Sequence, residues 1–205
     1  MRQTDPRVRR SRAAIMDATI DLVVERDSSA ISMTDLADAA GVSRPVLYQH
    51  YGDRDGILVA AMTELIDREL LPAVDPNPAN PMPFAQVLTD HFARHSRFYR
   101  ALLRGSAAFS VVRAITDLLA VPGAELLRQR SDGTVPEAQI REMAKFGASA
   151  AAMMLAEWLV DEPASVDGSA ASEDPTALVG LLMRIDETII AIAGNVDRQR
   201  HLETD

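Results

Sequence analysis

Apolar residues recur along this chain at the spacing of helix faces. Ile15, Ala18, Thr19, Leu22 and Val23 fall at i, i+3, i+4, i+7, i+8 and predict the buried stripe of a first helix. Leu36, Ala37 and Ala40 give a second, short helix one apolar face, and Val42, Val46, Leu47 and Tyr51 do the same for a third. Ile57, Leu58, Ala61, Met62, Leu65 and Ile66 carry a fourth to Leu71, where Pro72 should stop it. Residues 72–83 (PAVDPNPANPMP) are too rich in proline for a helix interior and read as an extended surface connection. Phe84, Val87, Leu88 and Phe92 then mark an amphipathic helix to His95, and a short helix over Arg97–Arg104 ends at Gly105. Ala107–Arg130 is a longer helical stretch that Pro122-Gly123 should kink or split. Pro136–Val160 follows, then a polar loop over 161–173. A last helix is expected from Pro175 to about Arg198, with Leu178, Leu181, Leu182, Ile185, Ile189 and Ile192 on one broad stripe. The expected fold class is all-α, with about nine helices.

The punctuation between the second and third helices is the most specific feature. Ser32 is a good N-cap, with Asp35 three residues on completing a weak capping box and Ile31 and Leu36 at the staple positions. Gly41 can take the left-handed conformation that stops a helix. Ser43 caps the next one, and Pro45 is tolerated in a first turn whose N–H groups have no helical partner. Helix, tight glycine turn and helix make a helix-turn-helix whose second helix can enter a major groove. With Val42, Val46, Leu47 and Tyr51 turned inward, Arg44, Pro45, Tyr48 and Gln49 fall together outward, with His50 at their edge. Arg and Gln can make bidentate contacts to guanine and adenine edges, and Tyr can bond a phosphate. The bland alternative is an ordinary αα-corner of a helical protein.

Charge sharpens the picture once it is divided. The net charge of -9 looks wrong for a nucleic-acid binder. Residues 1–54 are balanced, however, at eight Arg against eight acids, so the deficit falls wholly on the remainder. Within the first twelve residues five Arg face one Asp, which favours a DNA-facing N-terminal end, although a basic tail without a partner has the same composition. Arg7, Arg9, Arg10 and Arg12 could reach phosphates or an adjacent minor groove. Cys is absent, which leaves no disulfide, zinc thiolate or cysteine nucleophile to argue from. No run approaches a membrane span and no signal peptide is legible, so a cytoplasmic protein is expected.

The stretch Ile15–Leu22, Thr34-Asp35-Leu36-Ala37, Ala40-Gly41-Val42-Ser43, Leu47-Tyr48-Gln49-His50-Tyr51 and Asp53-Arg54-Asp55 closely resembles the N-terminal DNA-binding domain of TetR/AcrR-type transcriptional regulators of bacteria. Two departures are visible. Asp27-Ser28-Ser29 stands where that family usually has a glycine, and Arg54 replaces the usual lysine while keeping its charge. The resemblance implies a three-helix DNA-binding domain over 1–53 and a larger ligand-binding and dimerisation bundle over 54–205. It implies a homodimer, most often a repressor, on double-stranded DNA with a palindromic operator. The residues proposed for DNA are Arg44 and Gln49 for bases, Thr34, Tyr48, His50 and Arg54 for phosphates, and Pro45 against a thymine methyl or sugar. It also implies a small, largely apolar effector, for which Met62, Phe84, Leu88, His91, His95, Phe109, Met143, Phe146 and Trp158 are candidate lining residues. The last two helices would form the homodimer interface, through Ala148, Ala151, Ala152, Leu155, Leu178, Leu182, Ile185 and Ile189, unless they only complete the chain's own core.

Other chemistry is thinly represented. His91 and His95 stand at i, i+4, a spacing that can bind a metal, with Asp90 alongside. No second ligand cluster is evident, so a polar lining of a pocket is preferred and neither a metal nor a cofactor is expected. There is no Gly-x-Ser-x-Gly elbow, phosphate loop or Gly-rich cofactor fingerprint, and no enzyme is resolved. The competing readings are a helical small-molecule-binding or scaffold module without DNA, and an enzyme using His91 and His95.

Overall fold

The computed structural model describes residues 6–73, 81–131, 135–160, 178–180, 182–185 and 187–188. Among these all regular structure is helical: α1 (Pro6–Arg26), α2 (Met33–Ala40), α3 (Arg44–Tyr51), α4 (Arg54–Leu65), α5 (Pro81–Arg94), α6 (Ser96–Leu103), α7 (Ala108–Arg130) and α8 (Glu137–Val160). The described residues between 178 and 188 are helical too; the remainder of the expected last helix, with Ile189, lies outside the described residues. The chain divides into two compact units, residues 1–72 with 95–111, and 73–94 with 112–205. Packing thus groups α4 and α6 with the first three helices, where a boundary at 53 was expected from function.

In the first unit α1 packs on α2, α4 and α6, α2 on α3, and α3 on α4. Ile15, Met16, Val23, Ile31, Leu36, Leu47, Ile57, Leu58 and Met62 are all buried and form its core. Each such side chain contributes about 1.5–3 kcal/mol of burial. Thr19 is buried on the same stripe and satisfies its hydroxyl on the Ile15 carbonyl at 2.7 Å. Exposed ion pairs join α1 to α4 and its continuation, Arg12 to Glu64 at 3.0 Å and Arg68 to Asp17 at 2.9 Å. Solvent-screened pairs like these are worth at most about 1 kcal/mol each.

Helix ends follow the local chemistry. The α1 terminus is a Schellman motif: Ser28 N–H bonds the Val23 carbonyl and Asp27 N–H the Val24 carbonyl, with Asp27 itself at φ 47°. An aspartate therefore holds the left-handed position where a glycine would be strain-free. Gly41, at φ 64°, ends α2 in the same way. The α4 helix does not run on to Leu71 as expected. It passes into a π turn over Ile66–Leu70 and a 3-10 turn over Leu71–Ala73. Within the unit, this turn sets Arg68 on Asp17 and Glu69 on His95, whose Nε2 lies 2.6 Å from the carboxylate.

In the second unit Leu127, Ile140 and Ala144 form a buried cluster, covered by Ala124, Val135, Met143 and Ile185. Ala144, Ala148, Ala152 and Ala156 are buried at four-residue intervals along α8, with Leu155 and Leu159 beside them. The small-residue stripe lets neighbours approach closely; a methyl group at Gly123 of α7 would sit only 3.8 Å from that of Ala144. Two expectations change here. Helix α5 begins at Pro81, because a first-turn proline forfeits only an N–H that has no helical acceptor. Helix α7 is not split: it runs unbroken with Pro122 inside it.

By length and composition α8 could cross a membrane, its most apolar window reaching a mean hydropathy of 1.2. That corrects the expectation that no run approaches a span. It also carries Arg141, Glu142, Lys145 and Glu157, all exposed, and each would be costly among lipid tails. We read α8 as a bundle helix.

Candidate nucleic-acid interface

The interface is built from α2, α3 and the first turn of α4. The Ser32 hydroxyl accepts from Asp35 N–H at 3.0 Å and starts α2. The Asp35 carboxylate is held below its ordinary range by Arg26, 2.5 Å away, and by hydrogen bonds from Ser32, which closes the capping box. Ser43 occupies the N-cap of α3 without a side-chain cap bond, so Pro45 and the φ 64° turn at Gly41 carry that start. Gly52, at φ 80°, ends α3 after two turns. Asp53 then opens α4 by accepting the Gly56 N–H at 2.8 Å. Gly56 is sterically required, since a Cβ there would lie 2.1 Å from the Tyr51 carbonyl oxygen.

Those constraints fix which way α3 faces. Leu47 is fully buried, while Val42, Val46 and Tyr51 are half-buried, and burial raises the Tyr51 hydroxyl pKa. Thr34, Arg44, Pro45, Tyr48, Gln49 and His50 are all exposed. Tyr48 is 51% exposed, one of the few large aromatic surfaces left open to solvent. Arg44 leans across to α2, its Nη1 3.5 Å from Thr34 Oγ1, so the two helices present one continuous polar surface.

Arg54 behaves differently from the other six. It is half-buried, donates through Nη2 to Ser106 Oγ at 2.8 Å and lies 3.4 Å from Asp55 Oδ1. Ser106 in turn donates to Asp55 at 2.9 Å. Sequence reasoning missed Ser106, which is 52 positions away and carries no local signal. The side chains of Arg7 and Arg9 lie outside the described residues, while Arg10 and Arg12 are exposed on α1.

The other candidates scatter. Within the first unit Met62 is buried in the α4 core and Phe109 is 78% exposed. Within the second, Leu88 and His91 are buried, Met143 and Trp158 half-buried, and Phe146 65% exposed. Side chains as open as Phe109 and Phe146 enclose nothing within their own unit. The Phe84 side chain lies outside the described residues. Trp158 Nε1 is buried without a hydrogen-bond partner among the described residues. Of the expected dimer contacts, Ala148, Ala152, Leu155, Leu178 and Leu182 are buried within the chain itself, and Ala151 and Ile185 are half-buried.

An all-helical chain that presents a capped helix-turn-helix at one end has the architecture of a helix-turn-helix regulator. Residues 15–61 match the family model described as bacterial regulatory proteins, tetR family. The chain is similar to the HTH-type transcriptional regulator AlkX of Mycobacterium tuberculosis, 33% identical over 108 residues that cover 53% of this chain and 44% of that protein. It is also similar to the HTH-type transcriptional activator FasR of Mycolicibacterium smegmatis, 36% identical over 56 residues, 27% of this chain and 26% of that one. The matched stretches thus span less than half the length of these curated relatives. Among solved structures, the TetR family repressor AlkX of Dietzia sp. shares the fold with a TM-score of 0.59 at 23% identity, covering 87% of this chain and 94% of its own. A tetR-family transcriptional regulator from Streptomyces coelicolor does so with a TM-score of 0.57 at 22% identity, covering 92% and 86%. Residues 15–61 thus carry the tetR-family DNA-binding motif, and the chain shares the fold of TetR-family regulators.

Proposed function

We propose that this protein is a homodimeric, DNA-binding repressor that sits on a palindromic operator and leaves it when a small, largely apolar effector binds. The observation that carries the DNA reading is the outward face of α3, where Arg44, Pro45, Tyr48, Gln49 and His50 are exposed over a buried Leu47. Arg44 and Gln49 read base edges, Pro45 packs on a thymine methyl or sugar, and Thr34, Tyr48, His50 and Arg54 hold phosphates. Residues 1–53 serve the DNA and 54–205 serve the effector and the dimer. Two α3 helices related by a two-fold axis would meet successive major grooves about one helical turn apart. The working compartment is the cytoplasm, where the DNA is.

Selection of bound fragments from genomic DNA by the purified protein tests this reading. A recovered palindrome whose binding weakens steeply with salt supports it. Recovery of no common sequence would sink it.

For the effector, the unpartnered Trp158 N–H supports a ligand that is apolar in bulk but carries one hydrogen-bond acceptor. The Dietzia AlkX repressor is described as implicated in biodegradation of n-alkanes, which favours a long-chain apolar body here. Trp158 is the only tryptophan, so its own fluorescence reports on the site. A long-chain alcohol or fatty acid should shift that emission saturably and lower operator affinity together; an emission change without loss of DNA binding would contradict the coupling.

A further inference from the structure

One cavity of about 240 Å³ in the first unit shares only Arg54 with the reading above. Its walls are the α1–α2 loop (Asp27, Ser28, Ser29, Ala30), Arg54 at the start of α4, and the end of α6 with the following turn (Arg100, Ala101, Arg104, Gly105, Ser106). Three arginines face one carboxylate across it, in a chain whose net charge is -9. Apart from Ala30 and Ala101 the lining is polar or charged, or is glycine, which is unlike the apolar pockets that take drug-sized molecules. Its volume is also below the roughly 300–1,000 Å³ such pockets occupy.

Two backbone features build this cavity. Gly105 lets the α6–α7 turn close on the loop, since a Cβ there would fall 1.9 Å from Ser29 Oγ. Asp27 holds φ 47°, a left-handed conformation that glycine takes freely and an L-residue takes only at a cost. The residue that bears this strain sets the only carboxylate among the lining residues at the edge of a basic cavity.

We propose that this cavity binds a small free oxyanion of the phosphate class, such as inorganic phosphate, pyrophosphate or the phosphoryl group of a metabolite. Guanidinium groups match phosphate oxygens in pairs and carry five N–H donors each. Arg54 spends one donor on Ser106 and one on Asp55, which leaves three of its five N–H donors. The Asp27 carboxylate opposes the anion electrostatically and weakens its binding. The claim does not rest on DNA binding, and its first measurement needs no DNA.

The test is calorimetric titration of the full chain with inorganic pyrophosphate at constant ionic strength, with chloride as the control. One saturable site per chain is expected. Loss of a charge-assisted contact should weaken it by about tenfold or more in the Arg100→Gln/Arg104→Gln variant, with Arg44→Ala unaffected. Asp27→Asn alters only an exposed side chain, so it serves if the double variant misfolds; it should bind pyrophosphate more tightly, by several-fold. The proposal is overturned if no saturable binding occurs, or if Asp27→Asn binds no more tightly than wild type. It is also overturned if Arg44→Ala abolishes binding while the double variant keeps it, which puts the ion on α3. Loss of operator affinity in the double variant without any pyrophosphate binding would assign the cavity to a DNA phosphate and likewise end the proposal.

Discussion

Arg44 and Arg54 carry the same charge, yet their surroundings suit them to different proposed roles. Arg44 stands exposed on α3 with only a 3.5 Å contact to Thr34, so its planar fork is available to a base edge. Arg44→Ala should therefore cost about 1–3 kcal/mol of operator binding and relax preference at a single base pair. Arg54 is tethered to Ser106 and Asp55 at the first turn of α4, away from the base-reading face, and suits the proposed phosphate contact. Arg54→Ala should weaken all sequences alike and reduce the salt slope by about one. Competition binding against single-base operator variants checks both; equal loss on every sequence for Arg44→Ala would refute the assignment. Gly56 is constrained by sterics alone. In Gly56→Ala the new methyl meets the Tyr51 carbonyl oxygen, a backbone atom that cannot swing aside. Overpacking of this kind costs about 1–3 kcal/mol, so the melting temperature should fall and DNA binding should weaken with it.

At the scale of elements, α2 and α3 were readable in advance because their boundaries are set within a few residues. Ser32 caps, Gly41 turns left-handed, Pro45 starts and Asp53 caps again, each by a contact at most five positions away. The α4 exit was not readable, since a π turn over Ile66–Leu70 keeps Ile66 and Leu70 buried and looks helical in periodicity. The start of α5 at Pro81 is hidden in the sequence because a proline-rich run reads as a helix breaker, although a first turn tolerates proline. Arg54's partner was invisible for another reason: Ser106 is brought to it by tertiary packing alone. The α2 start also makes a pH prediction. Arg26 lowers the Asp35 pKa, so the pair stabilises the fold fully above the ordinary carboxylate range and loses that contribution as pH falls through the depressed value. The difference in urea midpoint between wild type and Arg26→Ala should be present at neutral pH and close as the pH falls below the ordinary carboxylate range. A difference that persisted unchanged into acid would show that Arg26 acts by packing.

For the whole molecule, the proposed homodimer raises the question of what would pair two copies. The stripe of small residues on α8 is not free for a partner, because Ala144, Ala148, Ala152 and Ala156 are consumed by the chain's own interior. A sequence shows that a stripe is apolar, but it does not show whether the neighbour that buries it belongs to the same chain. What α8 leaves open is a second face, on which Phe146 and Met153 stand one heptad apart at 65% and 51% exposure. Large apolar side chains left this open on one helix face mark an association surface more often than scattered single exposures do. A two-fold contact would place each α8 against its copy, so a charge introduced there is duplicated across the interface and repels itself. Phe146→Glu/Met153→Glu should therefore yield a monomer by light scattering with unchanged helicity. Its operator affinity should fall far more than its affinity for a half-site, because only the paired protein spans both grooves. A variant that remained dimeric would move the interface off this face of α8, while one that became monomeric yet bound the full operator undiminished would remove the need for pairing from the mechanism.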